Sequence, residues 1–152
     1  MALNAELVGR EYPSVTYEVG REKIREFAMA VGETNPIYHD REAARNAGYP
    51  DQVAPPTFPT VLHLRSGPAV VADPELGMNY ALVLHGTQEF EYRRPIVAGD
   101  VLTATPRIAE ITARGPNEFL TVETRIADDS GDDVCIARAT LISRGTAPGR
   151  GG

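Results

Sequence analysis

Three ionisable side chains lie close together in the segment 33–39, where Glu33 is followed by Tyr38 and His39. A carboxylate and an imidazole are common proton-transfer groups, provided that both reach the same reacting atom. A phenol is a weaker candidate, because its ordinary pKa of about 10 lies far above neutral pH. We therefore treat these three residues as the first candidates for acid–base chemistry.

The same segment also has a purely structural interpretation, as a loop between two helices. Asn35-Pro36 is typical of a turn. The carboxylate of Asp40 can cap the free backbone N–H groups of a helix that begins after it. This interpretation accounts for Asn35, Pro36 and Asp40, but it leaves the three ionisable residues unexplained.

The sequence argues against several other kinds of chemistry. Its three histidines, His39, His63 and His85, include no pair at the spacing of metal ligands. Because Cys135 is the single cysteine, no disulfide can form within the chain. We expect Cys135 to be a small buried residue of a strand. There is no nucleophile elbow, phosphate-binding loop or dinucleotide-binding glycine motif. We therefore expect neither a metal nor a cofactor.

The composition is that of one ordinary globular domain. Hydrophobic residues make up 42% of the 152 residues and charged residues 24%, with a net charge of −6. Without a basic patch, nucleic acid is not an expected partner. We find neither a secretory signal nor a membrane span, so we expect a cytoplasmic protein. The Gly-, Pro- and Arg-rich tail 145–152 is expected to be disordered.

Helical signals dominate the first half of the sequence. An apolar face with helical spacing predicts a helix between Gly20 and Gly32, and a second helix should run from Asp40 to Gly48. Thr57 is expected to cap a third helix over 58–66. That helix is apolar nearly all round, which means that other structure must enclose it. Its apolar residues are Phe58, Val61, Leu62 and Leu64.

Strand signals fill the second half. The predicted strands are 82–94, 101–112, 118–127 and 134–143, and the third places Leu120, Val122, Thr124 and Ile126 on one side. Pro106 indicates an edge or a bulge in the second of them, and the fourth is apolar enough to lie inside the sheet. Helices followed by antiparallel strands indicate an α+β domain in which a sheet curls around a long central helix. Such a sheet keeps open edges, so we expect two protomers to pair.

Several motifs together resemble the MaoC-like (R)-specific hydratases and dehydratases, over roughly residues 6 to 143. Those enzymes carry Gly-Asp-x-Asn-Pro-x-His where this sequence has the segment 32–38. The other matching motifs are Phe27-Ala28, Ala43-Ala44, Gly48-Tyr49, 53–58, 85–92, Arg94-Pro95 and 98–100. The resemblance implies a single hot-dog domain over 1–144, with the sheet wrapped around the central helix.

The resemblance also implies a site, although the sequence departs from the pattern at both catalytic positions. Glu33 stands where the family has Asp, Tyr38 stands where it has His, and His39 comes one residue later. The catalytic pair normally activates one water for addition to an enoyl thioester. The residues that this resemblance assigns to substrate binding are Asn35, Pro36, Pro56, Thr57, Phe58 and His85.

With these two changes, the motif resembles that of a non-catalytic branch of actinobacterial dehydratases. That likeness implies the substrate-binding partner in an (R)-3-hydroxyacyl-thioester dehydratase of fatty-acid or polyketide metabolism. The substrate would be an acyl-CoA or acyl-carrier-protein thioester, and the assembly a heterodimer with a catalytic hot-dog relative or a homodimer. Two alternatives remain: a self-sufficient homodimeric hydratase that uses Glu33 with His39 or Tyr38, and a non-enzymatic acyl-thioester binding protein.

Overall fold

Helices occupy the first half of the chain and long strands the second, as the helical and strand signals in the sequence predict. The computed structural model describes residues 1–149. The helices are α1 (Arg21–Ala30), α2 (Arg41–Asn46), α3 (Pro59–Ser66) and α4 (Pro68–Val71). The strands are β1 (Val15–Glu18), β2 (Val83–Tyr92), β3 (Val101–Arg114), β4 (Asn117–Ala127) and β5 (Asp133–Ser143).

The first two helices begin and end near the predicted residues. Helix α1 follows Gly20, and Gly32, just beyond its end, adopts a positive φ of 76° that favours glycine. The Asp40 side chain accepts a hydrogen bond from the Ala43 N–H at 2.7 Å, which confirms it as the cap of α2. The ends of α1 and α2 therefore fix the loop 31–40 between them.

All five strands pair antiparallel in the order β1-β3-β4-β5-β2, which leaves β1 and β2 at the two edges. The predicted inner face of β4 is confirmed, because Leu120, Val122, Thr124 and Ile126 are all buried. Strand β5 lies inside the sheet, as its apolar character indicates. Pro106 does not mark an edge, since β3 pairs on both sides, but the register of β3 against β4 shifts after Ile108.

Helix α3 supplies the centre of the main hydrophobic core. Phe58 and Leu62 are almost completely buried, and the rings of Phe27 and Tyr17 pack on Phe58 at centroid distances of 5.4 and 6.4 Å. The helix ends at Ser66, as predicted, and Gly67 separates it from α4. Its cap position is Phe58, without a side-chain hydrogen bond, so the prediction of a Thr57 cap is wrong.

One predicted core residue of α3 lies outside the core. Leu64 is 68% exposed in the single chain, so α3 is not enclosed on every side. Leu84 on the edge strand β2 is another exposed large apolar residue. The apolar pattern of α3 predicts a helix enclosed nearly all round, whereas one copy of the sheet leaves the Leu64 side of the helix exposed.

The C-terminal segment packs further than the predicted tail boundary at 145 implies. Thr146 is buried, and its hydroxyl donates to the Ser143 carbonyl oxygen at 3.2 Å. The Ala147 N–H donates to the Pro116 carbonyl at 3.1 Å. Of the tail that we expected to be disordered, residues 150–152 lie outside the described residues. No helix within residues 1–149 is long and apolar enough to span a membrane.

The contrast between two leucines of α3 tests this core. Leu62→Ala should lower the free energy of unfolding by about 2–5 kcal/mol, since it opens a cavity beside Phe58. In the unpaired chain, Leu64→Ala removes the same atoms from an exposed position and should change the free energy of unfolding by less than about 0.5 kcal/mol. Urea unfolding of both variants measures the difference, and equal losses would contradict the assigned core.

Candidate functional site

The loop between α1 and α2 contains a single-turn 3-10 helix, Pro36–Tyr38. The Asn35 side chain begins this turn, because its Oδ1 accepts the Ile37 N–H at 3.2 Å. Asn35 and Pro36 are both exposed. Their observed role is therefore to shape the turn, as the structural interpretation of the sequence predicts.

The His39 imidazole is bound to the backbone of its own loop. Its Nε2 lies 2.6 Å from the carbonyl oxygen of Glu33, to which a ring N–H donates. Among the hydrogen bonds of residues 1–149, none joins the Glu33 carboxylate to the imidazole. The structure thus brings Glu33 and His39 side by side, but through a main-chain contact that occupies one ring nitrogen.

Tyr38 is anchored through its backbone by a buried glutamine. The Gln52 side chain donates to the carbonyl oxygens of Tyr38 and Arg21, at 2.7 and 3.2 Å, and is only 3% exposed as a residue. Asp51, beside it, accepts two hydrogen bonds from the Arg21 guanidinium. These contacts connect the loop 31–40 to the start of α1 and hold Tyr38 in place.

The Tyr38 side chain lines a cavity of about 390 Å³, which we call the tyrosine cavity. Its walls are mostly apolar, with three tyrosines and two arginines among the lining residues. The lining residues are Ile37, Tyr38, Tyr49, Val53, Ala54, Pro56, Tyr92, Arg93, Arg94 and Pro95. An apolar pocket with a few polar groups is the usual form of a small-molecule site.

Two phenols of this cavity stay protonated at neutral pH. Burial raises the pKa of Tyr38, and the negative charge of Glu33 raises it further. Burial likewise raises the pKa of Tyr92, whose hydroxyl donates to the Pro56 carbonyl at 2.7 Å. A phenol with a raised pKa is a poor proton acceptor at neutral pH. These two residues are suited to hydrogen bonding and packing.

The predicted substrate-binding residues do not all meet at this cavity. Pro56 lines it, whereas Thr57 is exposed and Phe58 belongs to the core. His85 lies at a second cavity of about 290 Å³, which His63 also lines. Burial, and then the nearby His85, lower the pKa of His63. Within one protomer, His85 and Tyr38 therefore belong to different cavities.

Of the ten residues that line the tyrosine cavity, the sequence argument assigned only Tyr38 and Pro56 to the site. Tyr49 and Tyr92 lay within matching motifs but were not assigned to the site. Arg93 follows the end of β2 and had no pattern to distinguish it, and Gln52 acts through a tertiary contact. Among residues 1–149, no cluster of three or more His, Cys, Asp and Glu side chains could hold a metal ion.

Solved structures with the same fold include dehydratases. The C-terminally truncated HadBC complex of Mycobacterium tuberculosis, a (3R)-hydroxyacyl-ACP dehydratase, matches with a TM-score of 0.78 and 32% identity, over 87% of this chain and 92% of that chain. A MaoC-like dehydratase matches with a TM-score of 0.85 and 32% identity, over 93% of this chain and 43% of that one. The sheet around α3 is thus a hot-dog fold of the MaoC-like hydratase and dehydratase class.

Sequence comparison narrows the class to one family. Residues 6–137 match the family described as the FAS1-like dehydratase domain region, and the chain belongs to that family. A UPF0336 protein of Saccharopolyspora erythraea is 51% identical over 97% of this chain and 95% of its own length. A UPF0336 protein of Streptomyces coelicolor is 48% identical over 95% of this chain and 97% of its own length.

The raised pKa of Tyr92 predicts a loss of stability in alkaline solution. The unfolded chain loses this proton near pH 10, while the folded chain retains it to higher pH. The protonated Tyr92 phenol therefore makes its full contribution to the free energy of unfolding below about pH 10, and this contribution falls as the pH rises above that value. Tyr92→Phe should make the free energy of unfolding fall less steeply above about pH 10.

Urea unfolding at a series of pH values measures this effect. At neutral pH the variant should lose about 1 kcal/mol with the hydrogen bond to Pro56. Tyr80→Phe removes a hydroxyl from a residue that is 74% exposed and serves as the matched control. The prediction is wrong if the free energy of unfolding falls with pH as steeply in Tyr92→Phe as in the unaltered chain above about pH 10.

Proposed function

We propose that this chain is the substrate-binding subunit of an (R)-3-hydroxyacyl-thioester dehydratase, paired with a catalytic hot-dog relative. In that reaction the substrate loses a proton from its α carbon and a hydroxyl group from its β carbon, which yields water and an enoyl thioester. The reverse reaction is enoyl-thioester hydration. This chain holds the acyl thioester, and the relative supplies the carboxylate and imidazole that act on the water.

The observation that carries this proposal is the lining of the tyrosine cavity, which includes Tyr38 but neither Glu33 nor His39. The reaction needs a carboxylate and an imidazole directed at one water. Here the protonated Tyr38 phenol lines the cavity, while the His39 ring donates to the Glu33 carbonyl outside it. A displacement of about 1 Å can cost about a hundredfold in rate, so this arrangement supports binding over catalysis.

The tyrosine cavity supports the binding role. Its apolar walls suit the uncharged part of an acyl thioester, and phenol hydroxyls can orient a polar group without changing charge. Gln52 and Asp51 hold the loop and the start of α1 beside this cavity through buried and ionic contacts. A maintained cavity with a rearranged catalytic motif fits a subunit that retains the substrate.

The open edge of β2 supports a dimer. The strand pairs with β5 on one side only, and an unpaired edge commonly joins a second sheet. Leu84 on this strand is 49% exposed and Leu64 on α3 is 68% exposed, so the single chain leaves apolar side chains for a partner to cover. The HadBC structure, at 32% identity, is itself a complex.

A self-sufficient hydratase is the second candidate, and one observation favours it. The charge of Glu33 raises the pKa of Tyr38, and His39 contacts the Glu33 backbone, so all three candidate residues share one neighbourhood. A rearrangement of the loop on substrate binding would be required to direct Glu33 and His39 to one water.

Enoyl-thioester hydration by the purified chain separates the two candidates. The chain alone should hydrate crotonyl-CoA slowly or not at all, because neither Glu33 nor His39 lines the tyrosine cavity. Glu33→Gln and His39→Ala should then leave the low rate unchanged. The decrease in enoyl-thioester absorbance measures the rate.

Rapid turnover that either substitution abolishes would contradict the binding-subunit proposal and favour the self-sufficient hydratase. Asp40→Asn is a suitable control, since Asp40 caps α2 and does not line the tyrosine cavity. A rate that appears only when a catalytic hot-dog relative is added would support the proposal.

A further inference from the structure

The second cavity, of about 290 Å³, lies between α3, α4 and the face of the sheet that packs on them, and we call it the histidine cavity. Two of the three histidines of the chain line it, His63 on α3 and His85 on β2. Most of the other lining residues are aliphatic, among them Leu64, Val71, Val83, Val122 and Leu141. The tyrosine cavity shares none of these residues, so the proposed function makes no use of this space.

The His63 imidazole presents a nitrogen without a hydrogen bond to this cavity. Its Nδ1 lies 3.4 Å from the Thr124 hydroxyl, which is long for a hydrogen bond. Its Nε2 lies beside Gly67, where a Cβ would be only 3.6 Å away, and has no partner within residues 1–149. No buried side-chain nitrogen or oxygen of that range lacks a partner, so Nε2 is accessible from the cavity that both residues line.

His85 reaches the same cavity from the sheet. It is paired with Leu141 of β5, and residues paired across two strands project on the same face. Its Nε2 lies 3.2 Å from the Gln88 amide oxygen, and within residues 1–149 its Nδ1 has no partner. Burial lowers the pKa of His63, and the nearby His85 lowers it further, which agrees with two imidazoles that share one space.

Apart from these histidines and the exposed Tyr80, no titratable side chain within residues 1–149 lines the histidine cavity. The charged residues of the neighbouring elements are engaged elsewhere: Arg138 of β5 with Glu91 of β2 and Glu123 of β4, Asp73 after α4 with Arg10, and Arg65 of α3 over the Tyr17 ring. A proton gained by either imidazole therefore has no carboxylate of the chain beside it. An anionic ligand would supply that missing counterion.

We propose that the histidine cavity binds the anion of a short aliphatic carboxylic acid, with the carboxylate between His63 and His85 and the hydrocarbon chain along the aliphatic wall. Carboxylate oxygens only accept hydrogen bonds, and the two free ring nitrogens donate when the imidazoles are protonated. At about 30 Å³ for each water, the cavity has room for about ten non-hydrogen atoms, which is the size of octanoate. This ligand and this site are separate from the thioester and the tyrosine cavity of the proposed function.

Binding of the anion should be coupled to the uptake of a proton. A carboxylate beside His63 favours the charged imidazole and so raises the pKa that burial and His85 lower in the free chain. Octanoate itself stays ionised at about pH 6, because carboxyl groups titrate near pH 4. Its affinity should therefore rise as the pH falls from about 7.5 to about 6, by at most about tenfold per pH unit for one coupled proton.

Calorimetry of the full chain with octanoate, octan-1-ol and octylamine, at about pH 7.5 and about pH 6, tests the proposal. Octanoate should bind several-fold more tightly at the lower pH, whereas octan-1-ol should bind equally at both and octylamine most weakly. His63→Gln keeps a polar side chain but cannot take up a proton, so it should remove most of the pH dependence. His85→Gln, on the exposed edge strand, should reduce it. In NMR spectra of the ring protons, octanoate should raise the pKa of His63 in the unaltered chain.

His39→Gln is the matched control, because His39 is the third histidine and does not line this cavity. It should leave the octanoate affinity unchanged at both pH values. The proposal is overturned if octan-1-ol binds as tightly as octanoate at the lower pH, or if octanoate moves the pKa of neither His63 nor His85. Either result leaves the proposed function intact, since that proposal concerns the tyrosine cavity.

Discussion

The burial of α3 inside the curled sheet is the constraint on which the rest of the structure depends. Phe58 and Leu62 fill the space beneath the sheet, and Phe27 of α1 packs edge-on against Phe58. Because α1 is fixed by this contact, the loop at its end has a defined position over the core. The chain that leads into α3 contributes Pro56 to the same cavity as Tyr38, so one packing arrangement brings both walls of the site together.

The site follows from how that loop satisfies its hydrogen bonds. Gln52 satisfies the Tyr38 carbonyl and the His39 ring satisfies the Glu33 carbonyl, so polar groups that could face a substrate are engaged within the loop. The remaining wall is apolar, with phenols that burial keeps protonated. The same fold that presents a reactive pair in a catalytic relative can in this way present a binding surface.

Sequence patterns predicted the parts of the fold that depend on local order. The helical segments, the Asp40 cap and the buried face of β4 all follow from spacing and side-chain type. The exposure of Leu64 could not be predicted, because periodicity reports an apolar residue and not the place where the sheet ends. The contacts of His39 and Gln52 depend on tertiary positions that no local pattern encodes. The missed part of the site is therefore its supporting hydrogen bonds.

One measurement tests the central proposal most directly. The proposal is that the changes at Glu33 and Tyr38 remove catalysis from a cavity that otherwise suits the substrate. The double variant Glu33→Asp/Tyr38→His restores the two residues that the resembling enzymes carry, and its crotonyl-CoA hydration rate can be compared with that of the unaltered chain. The account predicts a gain of about a hundredfold, because a carboxylate and an imidazole would again be directed at one water. A correctly folded double variant that is no faster than the unaltered chain would contradict it.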